Sequence, residues 1–397
     1  GEGAGDESGW WTGVSLSADG GRVAVGARYN DGGGVDAGHV RVFEYDSSSS
    51  LWTQLGADID GEASGDESGF SVSLSSDGSR VAVGGVNNGA SGTNAGHVRV
   101  FEFNTSSWTQ LGADIDGEAA GDNFGYAVSL SSNGNLVAIG ALKHDGINGV
   151  DSGHVRVFEY DSFSWTQVGT DIEGEGAGDW SGLVVSLSSN GGHLAVGAHV
   201  NDGVNGADSG HVRVFTYATS SWTQLGADLD GEAAGDKNGV AVSLSANGTR
   251  VAIGALENDG NGADSGHVRV YEYDSSVWNQ LGADIDGEAA GEESGRVVSL
   301  SSDGSRVAIG GHLNDAGGTN AGHVRIFDYD FLSSSWVQMG ADIDGNEADG
   351  YSGSAVSLSG DGSRVAIGAY NAGEGGQVRV WQLAYLPSGE PTRQPVG

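Results

Sequence analysis

The sequence has no cysteine and only three prolines among its 397 residues. Without cysteine there is no disulfide framework, no thiolate nucleophile and no cysteine-based zinc site. No apolar run approaches the ~20 residues that a membrane-spanning helix needs.

Positive charge is also scarce. The chain has 17 Lys+Arg against 54 Asp+Glu, a formal net charge of −37, and its only lysines are Lys143 and Lys237. Such a surface repels nucleic-acid phosphates and anionic membranes, so we expect neither nucleic-acid binding nor membrane insertion. It attracts divalent cations and cationic partners. The alternative is that the charge only keeps the protein soluble in a salty medium.

One motif, Gly-His-Val-Arg-Val-Phe, recurs along the chain. Its glycine stands at Gly38, Gly96, Gly153, Gly210, Gly266, Gly322 and Gly376, at intervals of 58, 57, 57, 56, 56 and 54 residues. A steady period of this length is typical of solenoids and propellers. We therefore predict one repeat domain over residues 1–385 rather than several separate cores.

Each repeat predicts four antiparallel strands and no helix. In the third copy, residues 126–131 alternate at a period of two, Asn133-Gly134 favours a type I′ hairpin, and residues 136–141 form the partner strand. The Gly-His-Val-Arg strand follows, then a Trp-led outer strand over residues 165–172. Within each repeat, the first strand carries small residues and the fourth strand begins with Trp. This order fits a wedge-shaped blade that is thin near a central axis and thick at its rim. The prediction is an all-β, seven-bladed β-propeller.

The chain at this point resembles a known family. Asp122-Asn123-Phe124-Gly125, then Val137-Ala138-Ile139-Gly140-Ala141 and Gly153-His154-Val155-Arg156-Val157-Phe158, are similar to the FG-GAP repeat of integrin-α-type seven-bladed propellers. The resemblance covers nearly all of residues 1–385. Repeats of that family often hold calcium between their first two strands, but here that loop is only Ser-Asn-Gly or Ser-Asp-Gly, so those ligands are not carried over.

The ends of the chain depart from the repeat. Only six Trp-led outer strands are present, and residues 1–6 match a connector, so we expect an upstream segment to complete the seventh blade. Residues 386–397 contain all three prolines and read as a linker or the start of a stalk. With possible N-glycosylation sites at Asn104 and Asn247, they favour an extracellular or cell-surface location.

Acidic loops should gather on one face, because connectors after the second and fourth strands leave the blade on the same side. Calcium binds six to eight oxygens, so a loop and a neighbouring connector are a possible site. The competing interpretation is that these residues only close tight turns. The candidate ligands are Asp145, Asn148 and Asp151, Asp202, Asn205 and Asp208, and Asp259, Asn261 and Asp264.

Histidines and arginines recur at fixed positions of the repeat. The histidines of separate blades lie too far apart to share one metal ion, so we expect each ring to bond a nearby loop. The arginines are expected to pair with connector carboxylates. The two sets are His39, His97, His154, His211, His267 and His323, and Arg41, Arg99, Arg156, Arg213, Arg269, Arg325 and Arg379.

Function is better sought where the copies differ, at the start of the innermost strand near the axis. Aromatic rings around a concave mouth suit sugar faces or a partner's side chains, although drift at space-filling positions explains the variation equally well. The predicted mouth residues are Trp10, Trp11, Phe70, Phe124, Tyr126, Trp180, Lys237, Arg296 and Tyr351. Residues after the second strand also vary, among them Arg28, His199, His312 and Tyr370.

No convincing catalytic motif stands out, so the sequence predicts a protein that is not an enzyme. The favoured hypothesis is an extracellular interaction, adhesion or surface-assembly module that binds a protein or glycan through its acidic face, with calcium as a possible stabilising ion. One alternative is a lectin with an aromatic mouth. Another is a glycan-active hydrolase, for which no carboxylate pair can be singled out.

Overall fold

A computed structural model describes residues 1–384 and 392–396, which form seven antiparallel sheets. The first strand of blade 1 contacts the first strands of both blade 2 and blade 7, so the sheets form a closed ring. This confirms the predicted all-β, seven-bladed propeller. No helix long and apolar enough to cross a membrane occurs in the described residues.

Strands one and two of each blade lie nearest the axis. The first strands are Val14–Leu16, Ser68–Leu74, Ala127–Leu130, Val184–Leu187, Asn238–Leu244, Val297–Leu300 and Ser352–Leu358. The second strands are Arg22–Ala27, Arg80–Gly85, Leu136–Ala141, His193–Ala198, Arg250–Ala255, Arg306–Gly311 and Arg364–Ala369. The second strands are almost wholly buried because neighbouring blades cover both of their faces.

Strands three and four lie farther out. The third strands are His39–Asp46, His97–Phe103, His154–Tyr160, His211–Ala218, His267–Tyr273, His323–Asp330 and Gln377–Ala384. The fourth strands are Leu51–Gln54, Trp108–Gln110, Trp165–Gln167, Ser221–Gln224, Trp278–Gln280, Ser335–Gln338 and Thr392–Val396. Six blades add a two-residue strand: Ile59–Asp60, Ile115–Asp116, Ile172–Glu173, Leu229–Asp230, Ile285–Asp286 and Ile343–Asp344.

The outer strand differs from the prediction, because it is two strands rather than one. Gln167 pairs with Phe158, whereas Ile172 pairs with Val155, so residues 168–171 lie opposite only two residues of the third strand. The surplus residues form a bulge. Gln167 Nε2 closes that bulge by donating a hydrogen bond to Asp171 Oδ1 at 2.5 Å. The bulge changes the direction of the chain toward the next blade.

The type I′ turn predicted for the Asn-Gly hairpins is also wrong. Gly134 has φ +66°, but Asn133 is not among the residues of positive φ, as a type I′ turn requires of both central residues. Instead, Asn133 Oδ1 accepts the N–H of Asn135 at 2.9 Å and the hydroxyl of Ser131 at 2.9 Å. The serine two residues before the asparagine thus closes the turn, and only the glycine is left-handed.

Packing between blades is close at the axis and aromatic at the rim. A Cβ on Gly140 would lie 2.0 Å from the carbonyl oxygen of Gly182 in the next blade, which explains the glycine near the end of each second strand. At the rim, Trp108 Nε1 donates to the carbonyl of Leu55 in the preceding blade at 2.7 Å. The predicted placement of Trp between blades is confirmed.

The seventh blade is completed by this chain's own residues, not by the upstream segment expected from the sequence. Backbone of Thr392–Val396 pairs antiparallel with Gln377–Ala384 in the fourth-strand position. Residues 386–391 of the predicted linker lie outside the described residues, and the predicted domain boundary at residue 385 stays a prediction.

Candidate functional site

The loops after the second strands and the connectors between blades share one face, which we call the loop face. Asn30 Nδ2 donates to Asp6 Oδ2 at 3.2 Å, and Asn201 donates to Asp179 at 2.9 Å in the same way. These bonds tie each loop to the connector that enters its own blade. The predicted gathering of loops and connectors is confirmed, although the opposite, hairpin face also carries carboxylates such as Glu44, paired with Arg22 at 2.8 Å.

A ring of left-handed residues surrounds the axis on the loop face. They occupy one repeat position, just before the first strand, with φ between 52° and 57°: Glu7, Glu67, Asn123, Trp180, Lys237, Glu293 and Tyr351. A non-glycine residue is held in this conformation at a cost of order 1 kcal/mol. The backbone at this position is uniform, whereas the side chain differs between most blades. The ring therefore presents three glutamates and four other side chains on one constant scaffold.

Blades 7 and 1 build an aromatic wall at this mouth. Tyr351 stacks on Tyr370 with ring centroids 5.0 Å apart, and Tyr370 meets Trp10 edge-on at 4.4 Å. The guanidinium of Arg28 lies 4.3 Å from the Trp10 ring and donates to Glu7 Oε2 at 2.7 Å. Burial, with the neighbouring Tyr351, raises the pKa of Tyr370 to about 12, so its hydroxyl stays a proton donor.

Blade 6 adds an acid, a base and a cation beside this wall. Glu293 Oε2 lies 3.7 Å from His312 Nε2 and 3.9 Å from Arg296 Nη1. Burial raises the pKa of Glu293, and the Arg296 guanidinium opposes that rise. Burial lowers the pKa of His312 to about 3, so its imidazole is neutral. A carboxylate of raised pKa next to a fixed guanidinium is a typical general acid or base.

The opposite wall comes from blades 4 and 5. Trp180 lies 5.7 Å from the ring of His199, and Lys237 Nζ pairs with Asp208 Oδ2 at 3.0 Å. Burial lowers the pKa of His199 to about 4, and Lys237 adds to that effect. Both walls therefore combine an aromatic ring with a neutral imidazole and a cation.

The floor of the mouth is apolar. Trp11 and Tyr126 pack against a buried cluster that includes Leu183 and Val240. These four residues come from four different blades. Phe70, 5 % exposed, lies 4.6 Å from the Tyr126 ring. The aromatic residues predicted for the mouth are therefore partly its floor rather than its walls.

Phe124 does not lie in the mouth, contrary to the prediction. It is 0 % exposed, meets Phe158 edge-on at 6.4 Å and lies 5.0 Å from the Arg156 guanidinium. The predicted set mixes three repeat positions, and Phe124 occupies the one where other blades place Ser or Asn toward the arginine. Aligning the copies residue by residue would have found Glu67 and Glu293 instead, since they share the position of Trp180 and Lys237.

The loops proposed for calcium are closed by their own side chains. Asp145 Oδ1 accepts the N–H of Asp151 at 2.9 Å, and Asn148 Nδ2 donates to the carbonyl of Gly174 at 2.6 Å. The loops of blades 4 and 5 repeat both bonds, through Asp202 with Asp208, Asn205 with Gly231, Asp259 with Asp264, and Asn261 with Gly287. These contacts support the turn-closing interpretation, and calcium at the loops stays a prediction.

The repeated arginines behave as expected. Among the histidines, His323 Nε2 makes the expected kind of bond, to Glu292 Oε1 of the connector at 2.6 Å, whereas three others do not. Arg156 Nη1 lies 3.1 Å from Glu118, and Arg41 Nη1 bonds Glu2 at 2.9 Å. Each pair joins a third strand to a connector, as predicted. By contrast, both ring nitrogens of His39, His97 and His154 are buried with no hydrogen-bond partner in the described structure. The expected bonds from these rings to nearby loops are absent.

One repeat of the chain matches a known protein family. The profile of the FG-GAP repeat family matches residues 114–158, which include the only Phe-Gly pair at that repeat position. Together with the seven-bladed ring, this match supports the predicted FG-GAP-type propeller. No curated protein matches the sequence.

Solved structures similar to this FG-GAP propeller include enzymes. A candidate 6-phosphogluconolactonase from Bacteroides uniformis superimposes with a TM-score of 0.62 at 12% identity, over 95% of this chain and 98% of its own. A periplasmic gluconolactonase from Pseudomonas aeruginosa gives 0.58 at 16% identity, over 90% of each chain. Hydrazine synthase from Kuenenia stuttgartiensis gives 0.56 at 13% identity, over 94% and 96%. At this identity the likeness shows a shared fold.

These neighbours correct one expectation. The absence of a recognisable catalytic motif predicted that the chain is not an enzyme, but propellers of this architecture are named as lactonases. That prediction was wrong in its reasoning, because the absence of a contiguous motif does not exclude a site built from residues that folding brings together.

Proposed function

We propose that this FG-GAP propeller binds a sugar or a sugar-derived lactone at its axial mouth and hydrolyses it. The observation that carries the proposal is the position of Glu293 between Arg296 and His312, with the His312 ring 6.1 Å from that of Tyr351, which stacks on Tyr370. Aromatic faces bind the apolar face of a sugar ring, and a carboxylate of raised pKa activates water. The lactonase names of two similar structures support the same substrate class.

The residues of the mouth divide the reaction between them. Glu293, ionised, accepts a proton from a water molecule that attacks the carbonyl carbon of the lactone. The guanidinium of Arg296, which is desolvated by burial at the mouth, stabilises the oxyanion of the tetrahedral intermediate. When the ring C–O bond breaks, Glu293 returns the proton to the alkoxide that leaves. A sugar acid is released and the carboxylate is restored.

The test is hydrolysis of a panel of aldonolactones and nitrophenyl glycosides, followed in a pH-stat and by absorbance. Glu293→Gln should lower kcat at least 100-fold, because the amide cannot take the proton. Tyr351→Ala should mainly raise KM. Glu159→Gln, an exposed change on the hairpin face, is the matched control and should leave both constants unchanged.

A mouth that binds a sugar without hydrolysing it would give a different experimental result. If ligand-detected NMR shows saturable binding of a sugar that Tyr351→Ala abolishes, yet no substrate is hydrolysed, the mouth is a lectin site. If neither turnover nor binding is seen across the panel, the proposal fails.

A second candidate function is binding of a cationic protein partner, favoured by apolar residues that project from the loop face. Ile147 is 88% exposed and Val204 86% exposed, and both stand among the acidic loops. An apolar tip rimmed by carboxylates suits a partner that carries Lys or Arg around an apolar pocket. Chemical cross-linking in native material should place the contacts on these loops, and Ile147→Asp with Val204→Asp should abolish them.

Two further predictions from the sequence stand as proposals. Calcium bound at the loops of blades 3, 4 and 5 would raise the melting temperature, so a chelator should lower it. A cell-surface location with glycans at Asn104 or Asn247 is supported by the exposure of both residues. Mass spectrometry of peptides from native protein tests the glycans.

A further inference from the structure

Each repeated histidine stands among carboxylates of its own and the preceding connector. His97 is 1% exposed, and neither of its ring nitrogens has a hydrogen-bond partner in the described structure. Its Nδ1 lies 3.7 Å from Asp114 Oδ2 and 3.9 Å from Glu62 Oε2. These separations are too long for hydrogen bonds, and they leave an imidazole nitrogen and two carboxylate oxygens facing one another.

The separations fit a bound cation. In a tetrahedral site with bonds of ~2.1 Å, neighbouring ligand atoms lie about 3.4 Å apart. The ligand atoms of His97, Glu62 and Asp114 all lie within 4.8 Å of one another. The two separations from His97 Nδ1, 3.7 and 3.9 Å, are close to that value, and solvent would complete the coordination of an ion held between these ligands.

The surroundings hold these ligands in place and leave an entry path. Arg99 Nη1 lies 3.7 Å from Glu62 Oε1, and Arg99 Nη2 donates to the carbonyl of Asp60 at 2.7 Å. The guanidinium therefore occupies one oxygen of Glu62 while the other faces the imidazole. The side chains of Glu62 and Asp114 are 45% and 27% exposed, so the carboxylate side is open to solvent and the imidazole side is closed.

The same arrangement recurs in other blades. One set comprises His39, Glu2 and Asp58, and another His211, Glu175 and Asp228. In blade 7 the position of the histidine is taken by Gln377. The sequence argument that histidines of separate blades cannot share one ion still holds, but each blade brings the carboxylates of its connectors to its own histidine.

We propose that these clusters of blades 1, 2 and 4 bind divalent transition-metal ions of the zinc class, one ion at each cluster, through an imidazole nitrogen and two carboxylate oxygens. Mixed nitrogen and oxygen ligands favour zinc, manganese or iron over calcium, which takes oxygen ligands. This inference goes beyond the function proposed for the mouth and does not rest on it. Its residues are separate from those of the mouth.

The test uses chelator-treated protein, titrated with zinc chloride at pH 7.5 by isothermal calorimetry in the presence of excess magnesium. His97→Gln should remove one equivalent of zinc and leave the others, and Asp114→Asn should weaken binding at that site at least tenfold. In long-range ¹H–¹⁵N spectra, the Nδ1 signal of His97 should shift with the first equivalents. His193→Gln, at the start of a second strand outside the clusters, is the matched control and should change nothing.

Glutamine is native at the equivalent position of blade 7, so His97→Gln is compatible with the blade. If that variant is nevertheless unstable, Asp114→Asn and the wild-type imidazole spectrum decide the question alone. Zinc uptake that is unchanged in both variants would mean diffuse binding to surface carboxylates and would overturn the proposal. Absence of zinc binding at millimolar concentration would overturn it as well.

Discussion

The backbone N–H of Leu16 donates to Ser357 Oγ at 3.0 Å and joins the first strand of blade 1 to that of blade 7. The same bond, from a leucine N–H to a serine of the preceding blade, occurs at the other six junctions at 2.9–3.0 Å. The serine alternating with valine and leucine in each first strand is thus a link between blades. The junction between blades 7 and 1, which closes the ring, therefore uses the same hydrogen bond as the other six junctions.

Removing the closing link should destabilise the propeller. Ser357→Ala leaves the buried N–H of Leu16 without a partner, and we expect the free energy of unfolding in urea to fall by about 1 kcal/mol. Ser243→Ala, at another junction, should cost a similar amount. Ser106→Ala, in an exposed turn, is the control, and an equally small effect in all three variants would contradict the role of the serine.

Phe124 should contribute to stability rather than to ligand binding. Because the ring is fully buried against Phe158 and Arg156, Phe124→Ser should lower the free energy of unfolding by about 3 kcal/mol, even though Ser is the usual residue at this position. Phe163→Ser, 87% exposed, should have no effect. A stable Phe124→Ser variant with altered ligand binding would contradict this prediction and show that Phe124 contributes to the mouth.

The Arg296 guanidinium should keep the pKa of Glu293 lower than burial alone would set it. In Arg296→Gln the positive charge is lost, so the pKa of Glu293 should rise further. Carbon-13 NMR titration of the Glu293 carboxyl measures this directly and needs no turnover. Arg22→Gln on the hairpin face is the control. An unchanged or lower pKa in Arg296→Gln would show that the two groups do not interact.

Acid should destabilise the protein through its buried imidazoles. The pKa of His312 falls from 6.5 to about 3 on folding, so the unfolded chain binds more protons between these values. Its contribution to stability is present above pH 6.5 and is lost as pH falls toward 3. Glu293, whose pKa is raised by burial, acts in the opposite sense.

Unfolding in urea at pH 7.5 and pH 5.0 measures this effect. The loss of stability between the two should be smaller in His312→Gln than in the wild-type protein, because glutamine does not titrate. An equal loss in the two proteins would assign the acid sensitivity to other groups.

Several features of the site could have been read from the sequence, and others could not. Trp180 and Lys237 stand out because aligned copies differ there, and Glu293 would have followed from the same alignment. The turn at Asn133 and the bulge before Asp171 depend on hydrogen bonds from side chains to nearby backbone and side chains. The alternation of polar and apolar residues in the sequence does not predict such bonds. The proposed site at Glu293 was missed because Glu293 and His312 are separated in the chain, and only strand pairing within blade 6 brings them together.

Repetition determined the architecture from the sequence alone. Seven copies with one strand pattern, tapering from serine to tryptophan, allow few arrangements other than seven wedges around an axis, since each blade must bury both faces. Tertiary structure decided which side chains meet. Glu293 faces His312, and Glu62 faces His97, only because the pairing of strands within a blade brings the entering connector against that blade's own loop and third strand, and no local pattern encodes that geometry.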